Sequence, residues 1–184
     1  MKPNVITLSK LAFAFCLIAA FSFFSFKGNK QKKAEAVVTG THQDSLSVRG
    51  TVKFYEQKNG SVKMDLKIVI PAKANQSVAV HIHEHGDCGE AGNNTHGHWN
   101  PTGQQHGKWG SASFHSGDIG NVQLDASGKG EMTLTTNLWS IGGNEKTNIV
   151  GRAIIVHGGV DDYVSQPAGN AGPRIGCGVI EEKK

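Results

Sequence analysis

The chain has 184 residues, with 19 lysines and arginines against 15 acidic residues, nine histidines, 24 glycines, three cysteines and a formal net charge of +4. Residues 1–36 alone carry six lysines and one glutamate, which leaves 13 basic and 14 acidic groups, a net charge of −1, on residues 37–184. The basic balance thus belongs to the N-terminal segment and excludes an electrostatic case for nucleic-acid binding by the remainder, which is long enough for one domain with a single core and too short for two.

In chain order, Lys2 and Lys10 precede an apolar run from Leu11 to Phe26, the charge-then-apolar order of a secretory signal. The run is short for a membrane span of roughly 20 residues. Residues 1–36 therefore read as a signal peptide or as an N-terminal membrane anchor with a basic linker (Lys27, Lys30, Lys32 and Lys33), and residues 37–184 as the domain, with a core from about 46 to 180. Ala34-Glu35-Ala36 offers a small-x-small cleavage pattern, farther from the apolar run than usual. Cys16 lies inside that run and reads as part of the leader. Export places the domain in a periplasm or cell envelope.

Beyond the leader, short alternating runs without sustained helical periodicity predict an all-β fold. Val48, Val52 and Phe54 alternate with Arg49, Thr51, Lys53 and Tyr55, and Val62, Met64, Leu66, Ile68 and Ile70 alternate with Lys63, Asp65 and Lys67. Asn59-Gly60 between them is a hairpin signal. A second hairpin is expected where Ala126-Ser127-Gly128-Lys129-Gly130 separates Val122-Gln123-Leu124 from Met132-Thr133-Leu134. A Greek-key β-sandwich or flattened β-barrel of immunoglobulin-like type accommodates these strands. The long segments 84–113 and 158–173 then serve as two functional loops.

The chemistry concentrates in the series His81, His83, His98, His106, His115, Asp118 and His157. In Val78-Ala79-Val80-His81-Ile82-His83 a strand would turn Val78, Val80 and Ile82 to the core and set both imidazoles side by side on the outer face. Any one histidine is as readily a surface or packed residue. Seven of nine falling between His81 and His115 favours a metal-binding group for the set. Imidazole suits copper and zinc, and an added carboxylate, as in His115-Ser116-Gly117-Asp118, suits tetrahedral zinc, so two neighbouring metal sites of different character are expected.

The segments His81-Ile82-His83-Glu84, His98-Trp99-Asn100-Pro101, His106-Gly107, His115-Ser116-Gly117-Asp118-Ile119-Gly120-Asn121, Gly151-Arg152 through Val156-His157, and Gly169-Asn170-Ala171-Gly172 through Arg174 to Cys177-Gly178-Val179-Ile180 resemble the copper/zinc superoxide dismutases, from about Leu46 to Ile180. The resemblance implies one copper and one zinc ion per subunit. Copper would be bound by His81, His83, His98 and His157, and zinc by His98, His106, His115 and Asp118, with His98 bridging the two. It makes Asp161 the carboxylate that orients a ligand of each metal, and Arg174 the cation that receives the superoxide anion. His98 would release one metal and take up a proton during turnover. The implied reaction is disproportionation of superoxide to dioxygen and hydrogen peroxide.

With Cys16 in the leader, Cys88 and Cys177 remain, and a disulfide between them is expected in an oxidising compartment. Its loop of nearly 90 residues gives a stabilisation of about 4 kcal/mol in the chain-entropy description. The early position of Cys88 in its loop is similar to secreted bacterial members. Other features depart from the animal cytosolic pattern: the stretch from His157 to Arg174 is shorter and carries Tyr163-Val164-Ser165-Gln166-Pro167 in place of a Glu/Lys cluster, and His85 stands where an apolar contact residue would be. Monomer, homodimer and membrane attachment through the N-terminal segment all stay open. His42, His85 and His96 have no role in the pattern and read as solvated, with His85 or His96 open to stray metal. The competing functions are a noncatalytic copper/zinc-binding module for delivery or storage, and a purely structural sandwich. The complete ligand set with Arg174 favours the enzyme.

Overall fold

The computed structural model describes residues 31–41 and 46–184, so residues 1–30 of the expected leader, Cys16 among them, and His42 lie outside the described residues. Among the described residues eight strands run in chain order: β1 Lys33–Gly40, β2 Arg49–Glu56, β3 Val62–Val69, β4 Ser77–His83, β5 Gly120–Gln123, β6 Lys129–Thr136, β7 Ala153–His157 and β8 Arg174–Lys183. They form one sheet in the order β5-β4-β7-β8-β1-β2-β3-β6, every neighbouring pair antiparallel. The sheet curls so that its β1-β2-β3-β6 half faces its β5-β4-β7-β8 half across one core, the flattened, nearly closed barrel expected from the alternation. Among the described residues no helix is long and apolar enough to cross a membrane.

The alternation of β2 and β3 performs as its sequence requires. Val52, Phe54, Val62, Met64, Leu66 and Ile68 are at most 1% exposed, while Lys53 and Lys67 face solvent. The register sets Phe54 opposite Met64 and Val52 opposite Leu66, and burying each such side chain stabilises the fold by about 1.5–3 kcal/mol. The Asn59-Gly60 turn closes this hairpin. Gly60 has φ +83°, a value open to glycine without a steric penalty, and Asn59 Oδ1 accepts from the Ser61 N–H at 3.1 Å and from Ser61 Oγ at 2.7 Å.

Two expectations need correction. The domain does not begin at residue 37: β1 starts at Lys33 and is paired on both sides, with Ala36 opposite Val52 of β2 and Ile180 of β8. Ala34 and Ala36 are buried, so the triplet that reads as a cleavage pattern is part of an interior strand. The second hairpin does not form either. β5 pairs with β4 and β6 with β3, because the turn closed by Asp125 N–H to Lys129 O at 2.8 Å carries the chain from one half of the barrel to the other. Alternation marks a strand's inner face and does not name its partner.

The two faces of β4 divide the molecule's labour. Val78, Val80 and Ile82 enter the core, as expected. Ala79, His81 and His83 point outward and are nevertheless buried, because segments 84–119 and 158–173 fold over them. On β7, Ile154 and Val156 face the core, while Ala153 and Ile155 pack with Cys177 and Cys88 in a second cluster outside it. The Cys88–Cys177 disulfide is present, with Cα atoms 5.8 Å apart and 89 residues of separation. It fastens segment 84–119 to β8.

Candidate metal centre

Local pairing at the end of β4 brings the first histidines together. His83 and His98 form an isolated antiparallel bridge, Ile82 O accepts from the Trp99 N–H at 2.8 Å, and Ile82 N–H donates to Gly117 O at 2.9 Å. His157 closes β7 beside them. The rings of His81 and His98 have centroids 4.0 Å apart, those of His81 and His157 5.0 Å, and His83 Nε2 lies 3.4 Å from His157 Nε2. All four residues are at most 5% exposed.

The second group shares His98. Nδ1 atoms of His98, His106 and His115 lie 2.7, 3.0 and 3.2 Å from the Asp118 carboxylate oxygens. Asp118 is fixed by N–H donors from His115 at 2.8 Å and Gly107 at 3.1 Å. Every residue of the expected copper and zinc sets is therefore in one buried place, in two groups of four whose ligand atoms lie within 4.8 Å of one another.

The ring nitrogens that do not face these centres are occupied. His83 Nδ1 donates to His96 O at 2.8 Å, His157 Nδ1 to Gly172 O at 3.2 Å, and His115 Nε2 to Gln104 O at 3.1 Å. Asp161 receives His81 Nε2 on one oxygen and His106 Nε2 on the other, both at 2.9 Å, so a single carboxylate orients one ring of each group. By contrast His81 Nδ1 and His98 Nε2 are buried without a hydrogen-bond partner, and His106 Nδ1 and His115 Nδ1 meet the Asp118 carboxylate at 3.0 and 3.2 Å without forming a hydrogen bond to it. Each orphan costs about 1–3 kcal/mol. Four such nitrogens converging in one place are the signature of coordination positions, and these donors fit copper and zinc: imidazoles alone in one group, imidazoles with a carboxylate in the other.

Electrostatics prepares the same state. Burial lowers the imidazolium pKa of His98 to about 4 and of His157 to about 3, with the neighbouring His81 adding to the effect in both. Burial, then repulsion from His98 and His157, holds His83 well below its ordinary value. Neutral rings with free lone pairs are what metal binding needs. Burial would raise Asp118 and Asp161, but contacts from His115 and His98 to the first, and from His81, the Tyr163 N–H and His106 to the second, outweigh it and keep both carboxyls ionised.

Several supporting residues escape a reading of sequence. Asn121 pairs with the Asp161 backbone through two hydrogen bonds of 2.8 and 2.9 Å. Gln166 clamps the His106 backbone through its N–H and its carbonyl, both at 2.9 Å. The divergent 163–167 segment is thus local scaffolding for a ligand. At Gly169, φ is +67°, and a Cβ would collide with Asp161 Oδ1; only glycine lets Asp161 reach both histidines. The glycine and the asparagine were visible as residue types, but carbonyl acceptors such as Gly172 and His96 leave no sequence signal.

Arg174, at the start of β8, donates from Nη1 to Gly92 O at 2.6 Å and Thr95 Oγ1 at 2.8 Å, and from Nη2 to His96 O at 2.6 Å. His96 O therefore receives both Arg174 and His83. The disulfide holds the loop that supplies these acceptors.

Comparison with known proteins agrees with this construction. The family model described as copper/zinc superoxide dismutase (SODC) matches residues 48–180. A superoxide dismutase [Cu-Zn] of Neurospora crassa is 39% identical over 155 residues, covering 80% of this chain and 96% of its own. Superoxide dismutase [Cu-Zn] 2 of Aquifex aeolicus is 33% identical over 169 residues, covering 89% and 95%. Among solved structures, the clock protein EA4 superposes with a TM-score of 0.71 at 30% identity, covering 82% of this chain and 94% of that one. With the family model spanning most of the chain and its matched segment containing the whole bridged histidine–aspartate cluster, this chain belongs to the copper/zinc superoxide dismutase family.

Proposed function

We propose that the protein disproportionates superoxide at a copper ion held by His81, His83, His98 and His157 and a zinc ion held by His98, His106, His115 and Asp118. The observation that carries this reading is His98, which offers Nδ1 to the Asp118 group and an orphaned, buried Nε2 to the other histidines. Bound there, copper would supply the one-electron change by which one superoxide is oxidised to dioxygen and another, taking up two protons, is reduced to hydrogen peroxide, and zinc, without redox chemistry, would withdraw charge from the His98 ring. His98 holds a transferable proton at Nε2 when that nitrogen is free. Asp161 keeps the His81 and His106 rings turned so that their Nδ1 atoms face the metals. Arg174, half-buried and fixed by four acceptors on Gly92, Asn93, Thr95 and His96, presents a permanent cation to the anionic substrate.

The N-terminal lysines and the apolar run after them direct export, and the Cys88–Cys177 disulfide is of the kind that persists outside the cytoplasm, in a periplasm or cell envelope. Since β1 begins at Lys33, processing that leaves the fold whole falls before that residue.

The test is the superoxide decay rate of the protein loaded with one copper and one zinc, beside His157→Ala. The loaded protein should approach the diffusional ceiling of roughly 10⁸–10⁹ M⁻¹s⁻¹, and His157→Ala should lose turnover while keeping its fold and its zinc. An undiminished rate in that variant sinks the copper assignment. Retention of both metals by the unaltered protein, with a rate no better than free copper, would make it a noncatalytic metal-binding module.

A further inference from the structure

A third group of metal-ligating side chains lies outside the buried centre. Glu84, His85 and His96 are exposed, and their ligand atoms lie within 4.8 Å of one another. The backbone creates this grouping. Past the His83–His98 bridge the two segments stay zipped, with Glu84 N–H donating to Gly97 O at 3.1 Å and His85 N–H to Thr95 O at 3.2 Å. That register skips His96, which takes φ +58° and ψ −141°, a positive-φ conformation that residues with a side chain seldom adopt. The His96 carbonyl is held inward by His83 Nδ1 and Arg174 Nη2, and its ring stands against His85 with centroids 4.5 Å apart and planes at 90°.

We propose that Glu84, His85 and His96 form a third, exchangeable binding site for a divalent transition-metal cation. Two imidazoles and one carboxylate select zinc or copper(II) over magnesium or calcium, which prefer all-oxygen surroundings. Ligands at about 2.1 Å around a tetrahedral ion lie about 3.4 Å apart, so the group has to close by no more than about 1.4 Å, within reach of exposed side-chain rotation. Glu84 and His85 border an open hollow of about 500 Å³, which leaves room for water to complete the coordination. Arg152, which also lines the hollow, has its N–H groups engaged by backbone carbonyls, those of Asn148 at 2.8 Å and of Glu84 and Glu145 at 3.1 Å, and its guanidinium lies 4.2 Å from the Trp99 ring centroid. The three ligands are anchored by their backbones and free at their tips, as a site that loads and unloads requires.

The inference is independent of turnover and is tested by metal stoichiometry. The full chain, first loaded with one copper and one zinc, is dialysed against excess zinc in millimolar magnesium, and the bound metal is counted. A third equivalent is expected, insensitive to magnesium. His85→Ala and His96→Gly, the latter free to take the same positive-φ backbone, should each weaken it by more than the 10–100-fold typical of a lost supporting partner. Glu84→Gln should weaken it less, and all three should keep the two buried metals. No third equivalent in the unaltered protein, or a third equivalent that survives in all three variants, overturns the proposal.

Discussion

The β2-β3 half of the barrel and the β4-β7 half are built on the same inner face and differ in their outer one. In β2 and β3 the outward side chains are Lys53 and Lys67, left in water; in β4 and β7 they are His81, His83, Ile155 and His157, roofed by loops and buried. A sheet needs only one covered face to fold. Covering the second brings polar rings into a dry place, where unmade bonds are costly and neutral imidazoles are favoured. The lesson is that function was added to this barrel by roofing one half of it. The roof depends on long-range ties, and the comparison can be attacked through them.

The largest effect is expected from the disulfide. Replacing Cys88 and Cys177 with serine removes a cross-link closing a loop of 89 residues, worth about 4 kcal/mol in the chain-entropy description. Denaturant unfolding should show a loss approaching that value. The damage should be lopsided: hydrogen exchange should rise in 84–98 and at the Arg174 end of β8, while the β2-β3 hairpin stays protected below the global transition. Uniform loosening of both halves would mean that the roof and the barrel are one cooperative unit.

A smaller loss should follow Asp161→Asn. The carboxylate joins a ring from each metal group at 2.9 Å on either side, and an amide can accept from only one of them, since its other end is a donor. Supporting partners of this kind are worth 10–100-fold in metal affinity. Competition with a chelator should show that loss for at least one of the two metals, with stability of the metal-free protein changed far less. Unchanged affinity for both would reduce Asp161 to a loop-folding residue.

These two tests also mark where sequence stops being informative. The open half is legible because one period-two pattern carries it: Val62, Met64, Leu66 and Ile68 identify β3, and Asn59-Gly60 identifies its turn. The metal residues were legible as types with spacing, since few other roles require six histidines and an aspartate in register. β1 was hidden because its inward residues are two alanines and a valine preceded by lysines, which look like the tail of a leader. The partner choice of β5 was hidden because pairing across a barrel is decided by loop geometry. The inaccessibility of His81 and His83 was hidden for the same reason: a strand pattern identifies faces, and only the folded loops determine which face stays wet.

The mildest probe is pH on the metal-free protein. Burial holds His98 and His157 at about 4 and about 3, and His83 well below its ordinary value. An unfolded chain takes up these protons near pH 6.5, so between there and pH 4 the unfolded state binds more protons than the folded one. Stability is therefore complete above about pH 6.5 and falls as pH is lowered, each ring contributing at most about 1.4 kcal/mol per pH unit. Asp118 and Asp161, held below their ordinary range, lose their contribution only below about pH 4, so the upper window reports histidines. The slope of unfolding free energy from pH 7 to 4 should flatten in His157→Ala by the share of one ring. A slope unaffected by that substitution would show that His157 meets protons as freely in the folded protein as in the unfolded chain, and that the roof leaves this side of the barrel wet.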